Sequence, residues 1–337
     1  MMVEKKKNIH FKSNENDNNK NKAWDKDNQA WWDWYISLAD NSNSNTCDAL
    51  LDIPEPPKIT YPSKLDLNHQ LSKPYTLTTQ NIETFQKNGF IKLKNVLTSD
   101  IVQVLRYEIL SLLRKTFTNY YEIKKNRFLS LEMMWLENSL IKEFVLSSRI
   151  TKICADLLDV KKIRLYHDNA LVKESGCGRT PWHFDDHHFP LATNDVITAW
   201  IPAQAIPIEM GPLAFAKPLE VYKLVKDIKF NEFDTSYDKK ISDVFKKKKI
   251  SIVEEPFELG EVSFHHNLSF HTASENKTNQ SRIVLANTYF ADGARVVNNP
   301  DMISGDWKKF IPKTNPGEIV SSDLNPICWP AKNPIQI

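Results

Sequence analysis

His183 and Asp185 stand two residues apart in Trp182-His183-Phe184-Asp185-Asp186-His187-His188. If that stretch is a strand, both side chains point to one side. An imidazole nitrogen and a carboxylate oxygen could then serve one metal ion. The motif is short and arises by chance, so a third ligand is required. His271 is the candidate, supplied by a different strand in Phe264-His265-His266-Asn267-Leu268-Ser269-Phe270-His271. His265 and His266 compete with it and rank lower, because only His271 has a turn and an arginine behind it. Two histidines and a carboxylate on one face of an octahedral ion leave three open positions, as in the non-haem Fe(II) oxygenases. Two positions can take a keto-acid and the last can take dioxygen.

A keto-acid with a second carboxylate needs a cationic anchor. Arg282 follows His271 across the polar stretch 275–280, which reads as a tight turn. Its planar fork matches a carboxylate with two parallel hydrogen bonds and stays charged. The bland alternative is a set of buried strand residues with incidental histidines. The concurrence of three ligand types and an arginine weighs against it.

Several elements must position these groups. Residues 1–28 are polar and lack apolar periodicity, which predicts a mobile tail. In residues 29–74, Trp31, Tyr35 and Leu38 fall on one helix face, which predicts a short docked helix; the sharper alternative is a lid or a partner-binding helix. Thr79 is placed to cap a helix ending at Asn88-Gly89, and a strand follows at Phe90–Leu93. Ser99-Asp100 opens a second helix, with Ile101, Leu105, Ile109 and Leu112 on one face. A third helical region is expected at 139–158. Beyond it the period shifts towards two, with strands around 162–173, 196–202, 213–215, 260–264 and 282–290. Residues 218–250 read as a charged insertion or lid. Helices first and many short strands later predict a mainly β, α+β fold with a sandwich or barrel core buttressed by helices.

Composition sets the outer bounds. The 337 residues carry a net charge of +2, which weighs against a generally basic nucleic-acid-binding surface. The cysteines, Cys47, Cys154, Cys177 and Cys328, form no CxxC pair, so a reducing compartment is the simpler reading. No apolar run is long enough to span a bilayer. The basic N-terminus lacks an apolar stretch after it, and the end is not a peroxisomal address, so a cytoplasmic location is expected.

The sequence resembles the phytanoyl-CoA dioxygenase family of 2-oxoglutarate-dependent oxygenases. The resemblance rests on Trp182-His183-Phe184-Asp185, on Gly211-Pro212-Leu213, on His271-Thr272-Ala273-Ser274-Glu275-Asn276 followed by Arg282, and on the entry at 77–93. It covers about residues 75–295 within a domain taken as 75–337. It implies a double-stranded β-helix, the jelly-roll or cupin-like core, with Fe(II) on His183, Asp185 and His271. It implies 2-oxoglutarate on Arg282, helped by Asn169, with Tyr166 and His167 as weaker choices. Trp200 would line the pocket, although on strand statistics it reads as core. Ser274 would support the co-substrate carboxylate or the turn. The chain departs from the family pattern at Ala214–Pro218 and in the length of 218–250, where substrate is usually enclosed.

The function so implied is oxidation by Fe(II), 2-oxoglutarate and O2: hydroxylation of an unactivated C–H bond in a small or medium-sized metabolite. Desaturation, epimerisation or cyclisation with the same cofactors is the alternative, and a cupin-like metal protein without 2-oxoglutarate is the rival class. A carboxylate at 185 argues against chlorination. Asp186, His187 and His188 are candidates for substrate contact, and His266 for orienting a ligand or the substrate. The run Lys246–Lys249 reads as a solvated face or, as a minority reading, a site for an anionic substrate group. The partner expected is a small molecule, with neither nucleic acid nor membrane. Oligomeric state is not legible.

Overall fold

A computed structural model describes residues 28–39, 53–117, 127–231, 233–300 and 307–330. Apart from Asn28, the expected polar tail lies outside the described residues. The helices are α1 (Asn28–Ser37), α2 (Lys64–Ser72), α3 (Thr79–Asn88), α4 (Ser99–Phe117), α5 (Ser139–Val145), α6 (Ser148–Leu158), α7 (Tyr222–Val225) and α8 (Ser236–Lys248). The strands are β1 (Phe90–Leu93), β2 (Phe128–Glu132), β3 (Ile163–Lys173), β4 (Thr180–His183), β5 (Val196–Pro202), β6 (Leu213–Lys217), β7 (Ser251–Glu254), β8 (Val262–His266), β9 (His271–Ala273), β10 (Arg282–Ala291) and β11 (Ile327–Trp329).

They form two antiparallel sheets. The larger runs β1-β8-β5-β10-β3-β11, with β2 sharing the outer edge of β3; the smaller runs β4-β9-β6-β7. This is the jelly-roll core with flanking helices. One face of the large sheet, with Ile197, Ala199, Phe264 and Leu285, packs against α2–α6. Its other face meets the small sheet, where Trp200, Val284 and Ala286 approach Leu213, Phe215 and Ala273. Helix α8 covers the back of the small sheet, with Ile241 and Phe245 joining Trp182 and Phe270 in one apolar cluster. Strand β10 is central and buried over almost its whole length, so its sequence is mostly apolar on both faces; away from the site the buried Asn287 interrupts the helix-facing side.

Local chemistry sets the ends of these elements. Thr78, not Thr79, caps α3 in a reciprocal box with Asn81, one residue earlier than expected. Gly89 closes the helix at φ 80°, a left-handed conformation that glycine adopts without strain. The single helix expected over 139–158 is two, because Ser147 breaks the run and its hydroxyl caps α6. In α4 the buried stripe runs through Leu113 to Phe117, while Leu112 is only partly buried. Trp31 and Tyr35 of α1 and Leu38 just after it make up a buried cluster. No helix among the described residues is long and apolar enough to cross a membrane.

Candidate active site

Strand parity sends one set of side chains between the sheets. Asn169 on β3, Thr198 and Trp200 on β5, His265 on β8 and Arg282 on β10 all line one cavity. The small sheet supplies His183 at the end of β4 and His271 at the start of β9, which are paired in register. Asp185 is not on a strand, as the sequence suggested. The chain leaves β4 after His183 and turns through a 3-10 segment over Asp185–His188. That turn still brings the carboxylate beside the two imidazoles.

His183, Asp185 and His271 each offer a ligand atom within 4.8 Å of the others and could hold a metal ion. Each histidine is oriented by the carbonyl two residues before it. His183 Nδ1 lies 2.8 Å from the Pro181 carbonyl, and His271 Nδ1 lies 3.0 Å from that of Ser269. A carbonyl only accepts, so each Nδ1 carries the hydrogen and each Nε2 presents a lone pair. Both Nε2 atoms stand 3.7 Å from Asp185 Oδ1, too far for a hydrogen bond. Such a donor set suits Fe(II).

Electrostatics agree with that arrangement. Burial, helped by the like charge of His271, lowers the His183 pKa to about 3. Burial lowers that of His271 to about 4. Burial alone would raise the Asp185 pKa, but His271, the hydrogen bond from His265 and the charge of His183 reverse this and hold it well below the usual carboxylate range. At neutral pH the three groups are therefore two neutral imidazoles and a carboxylate.

His265, not His266, is the further histidine at this centre. Its Nε2 is 3.2 Å from Asp185 Oδ2, to which the Thr198 hydroxyl also points at 3.4 Å. His266 is the next residue along β8, so the pleat turns it away. Its Nδ1 accepts from the Leu268 amide, and its ring lies 6.4 Å from that of Phe85 on α3.

Arg282 is buried on the floor of the cavity. Nη1 donates to the Gly211 carbonyl at 2.6 Å, Nε has no partner, and the guanidinium lies 5.3 Å from the Trp200 ring. Burial lowers its pKa to about 10, so it remains a cation at neutral pH. Among the described residues no carboxylate pairs with it. Leaving such a charge unpaired costs roughly 3–5 kcal/mol, so the site is suited to an anion. Gly211 is required by its own packing: its φ is 75°, and a Cβ there would come within 2.1 Å of the Ser274 carbonyl oxygen.

The remaining sequence candidates divide. Asn169 and Trp200 line the cavity, Asn169 accepting from the Ser130 hydroxyl at 2.7 Å. Tyr166 does not line it. The register shifts between Thr288 and Tyr289, so Tyr166 is the extra residue of a bulge and packs with Phe189 and Phe310. Its weaker neighbour His167 does line the cavity. Ser274 presents its backbone, with its carbonyl accepting from the buried Lys173 Nζ at 2.7 Å. His188 lines the cavity, whereas Asp186 turns to Asn267 and His187 packs on Phe184. The stretch between His271 and Arg282, read from the sequence as a tight turn to the next strand, is a crossing between sheets, since β9 and β10 belong to different ones. Sequence reasoning missed Thr198, Lys173 and the cavity-lining role of Trp31, Trp32 and Tyr35; the aromatic density of Trp31-Trp32-Asp33-Trp34-Tyr35 was the available signal.

The chain matches the phytanoyl-CoA dioxygenase (PhyH) family model over residues 85–284. It belongs to the phytanoyl-CoA dioxygenase family of non-haem iron, 2-oxoglutarate-dependent oxygenases. Among solved structures it is similar to SnoK, a non-heme alpha-ketoglutarate-dependent carbocyclase from nogalamycin biosynthesis. That match has a TM-score of 0.63 and 21% identity, over 76% of this chain and 99% of that one. It is also similar to the epimerase SnoN of the same biosynthesis, with a TM-score of 0.56 and 18% identity over 74% of this chain and 97% of that one. EctD from S. alaskensis with bound Fe gives a TM-score of 0.56 and 14% identity over 86% of this chain and 97% of that one. At these identities the likeness speaks for the fold. No curated protein sequence matches the chain.

Proposed function

We propose that the protein hydroxylates an unactivated C–H bond of a small or medium-sized metabolite, using Fe(II), 2-oxoglutarate and O2 and releasing succinate and CO2. The observation that carries this reading is a buried, unpaired arginine in the same cavity as two neutral histidines and a carboxylate. His183 Nε2, His271 Nε2 and an Asp185 oxygen hold the iron. His265 and Thr198 fix the Asp185 carboxylate, and the carbonyls of Pro181 and Ser269 fix the two rings. Arg282 binds the far carboxylate of 2-oxoglutarate, with Asn169 and Trp200 alongside. When bound, iron would activate O2, which is the oxidant, while 2-oxoglutarate would give up two electrons on becoming succinate and CO2 and the C–H bond would give up the other two. The chain's share is to hold geometry and to exclude water.

The carboxylate at 185 fills the position that chlorination would require open. Ring closure, desaturation or epimerisation would use the same residues, and the mass of the product separates them from hydroxylation. The test is succinate release from 2-oxoglutarate with Fe(II), in the native protein and in His183→Ala. Release should fall by more than about 100-fold in the variant, since even outer partners of metal ligands cost 10–100-fold. Equal release would refute the assignment.

A further inference from the structure

The wall of the cavity beyond the metal centre is made of rings. Trp31, Trp32 and Tyr35 come from α1, which precedes the family-matched region; Phe128, Phe189 and Phe310 complete it. Trp32 lies flat on Phe128, with centroids 4.4 Å apart and planes at 18°. Trp31 stacks on Tyr35 at 4.7 Å, and Tyr35 stands edge-on to His183 at 5.9 Å. Helix α1 therefore reaches a metal-centre imidazole directly.

The helix is also built into the sheet. Among the described residues β2 pairs only with β3, so its outer edge needs partners. The Gln29 side chain supplies them, donating to the Phe128 carbonyl at 2.7 Å and accepting from the Ser130 amide at 3.3 Å. The Ser130 hydroxyl in turn donates to Asn169, at the co-substrate end of the cavity. One amide side chain thus fixes both the helix and the strand that carry the aromatic wall.

Charge is compensated along this wall. Besides Asp185, the carboxylate lining the cavity is that of Glu132, which Lys309 neutralises in a short ion pair. That lysine also lies over the Phe310 ring. Burial lowers the pKa of His167. The ring faces of this wall offer a flat aromatic ligand stacking and desolvation.

We propose that α1 is the substrate-recognition wall, and that the substrate presents a flat aromatic ring to it, opposite the His183–Asp185–His271 group. That this ring belongs to a substrate rests on the oxygenase reading above; that the wall binds such a ring does not. The test is calorimetric titration of the metal-free full-length chain with 2-naphthol and, separately, with trans-2-decalol, the saturated two-ring alcohol that has no aromatic faces. The naphthol should bind at least about tenfold more tightly than the decalol. It should weaken about tenfold in Trp32→Ala and recover in Trp32→Phe. Thermal melts check folding; should Trp32→Ala fail to fold, Trp32→Leu replaces it. The proposal is overturned if the native chain does not bind 2-naphthol, if removing the Trp32 ring leaves affinity unchanged, or if the decalol binds as well. Succinate release by the native enzyme tests the oxygenase reading independently, so either idea can fail alone.

Discussion

The two ends of the cavity are held by different means. At the inner end, directional bonds to backbone carbonyls set each polar group: His183 to Pro181, His271 to Ser269, Arg282 to Gly211. At the outer end, rings from α1, β2 and loops far apart in sequence pack on one another. Hydrogen bonds demand particular atoms at particular angles, whereas ring packing demands shape and apolar area. The inner end is thus built for one fixed chemistry, and the outer end can vary its ligand without disturbing it.

The sharpest way to break this contrast is at Arg282. Arg282→Leu should raise the 2-oxoglutarate concentration needed for half-maximal succinate release by on the order of 100-fold or more, because the buried carboxylate loses its partner. Arg282→Lys should do less damage, as it keeps the charge but loses the fork. An unchanged requirement would mean that the inner end does not depend on directional pairing.

A smaller effect is expected one layer out. Asp238 on α8 accepts from the Trp182 amide at 2.7 Å and pairs with Arg179, which in turn donates to the Thr272 hydroxyl at 3.2 Å. Trp182 adjoins His183 and Thr272 adjoins His271, so one carboxylate tethers the strands of both histidines. Asp238→Ala should weaken Mn(II) binding by about tenfold, measured by calorimetry. Undiminished binding would show that the small sheet holds these rings without help.

The smallest effect lies at neither end. Burial raises the Asp168 pKa to about 7, only partly offset by backbone amides such as that of Met134 at 2.9 Å. The folded pKa is above the unfolded one, so its contribution to stability is full below about pH 4 and is lost as pH rises to about 7. Asp168→Asn removes that loss. Its melting temperature should exceed that of the native chain by at least about 3 °C at pH 8, and the gap should shrink towards pH 4. A gap independent of pH would place the effect in packing.

Much of the fold was legible because its signals are local. The entry at 78–93 shows a cap, a helix period, a glycine stop and an alternating strand, all within a few residues. The pair His183 and Asp185, together with His271 and Arg282, stood out by residue type and order. The carbonyls that orient the two histidines lie only two residues away, so the local chain carries part of the geometry. The break at Ser147 was missed because two short helices in succession keep almost the same apolar period as one.

The sequence by itself determined which residues are candidates for the donor set and the cationic anchor, and it carried the family and the β-rich core, since ligand chemistry and apolar period are properties of residues and near neighbours. Only the tertiary structure decided that His265 rather than His266 meets Asp185, because pairing with β5 and β1 sets which way the pleat of β8 faces. It decided that Tyr166 turns away at a bulge and that Asp185 leaves the strand. It also decided that α1 closes the cavity against β2. Each of these depends on register between distant segments, and no local period encodes register.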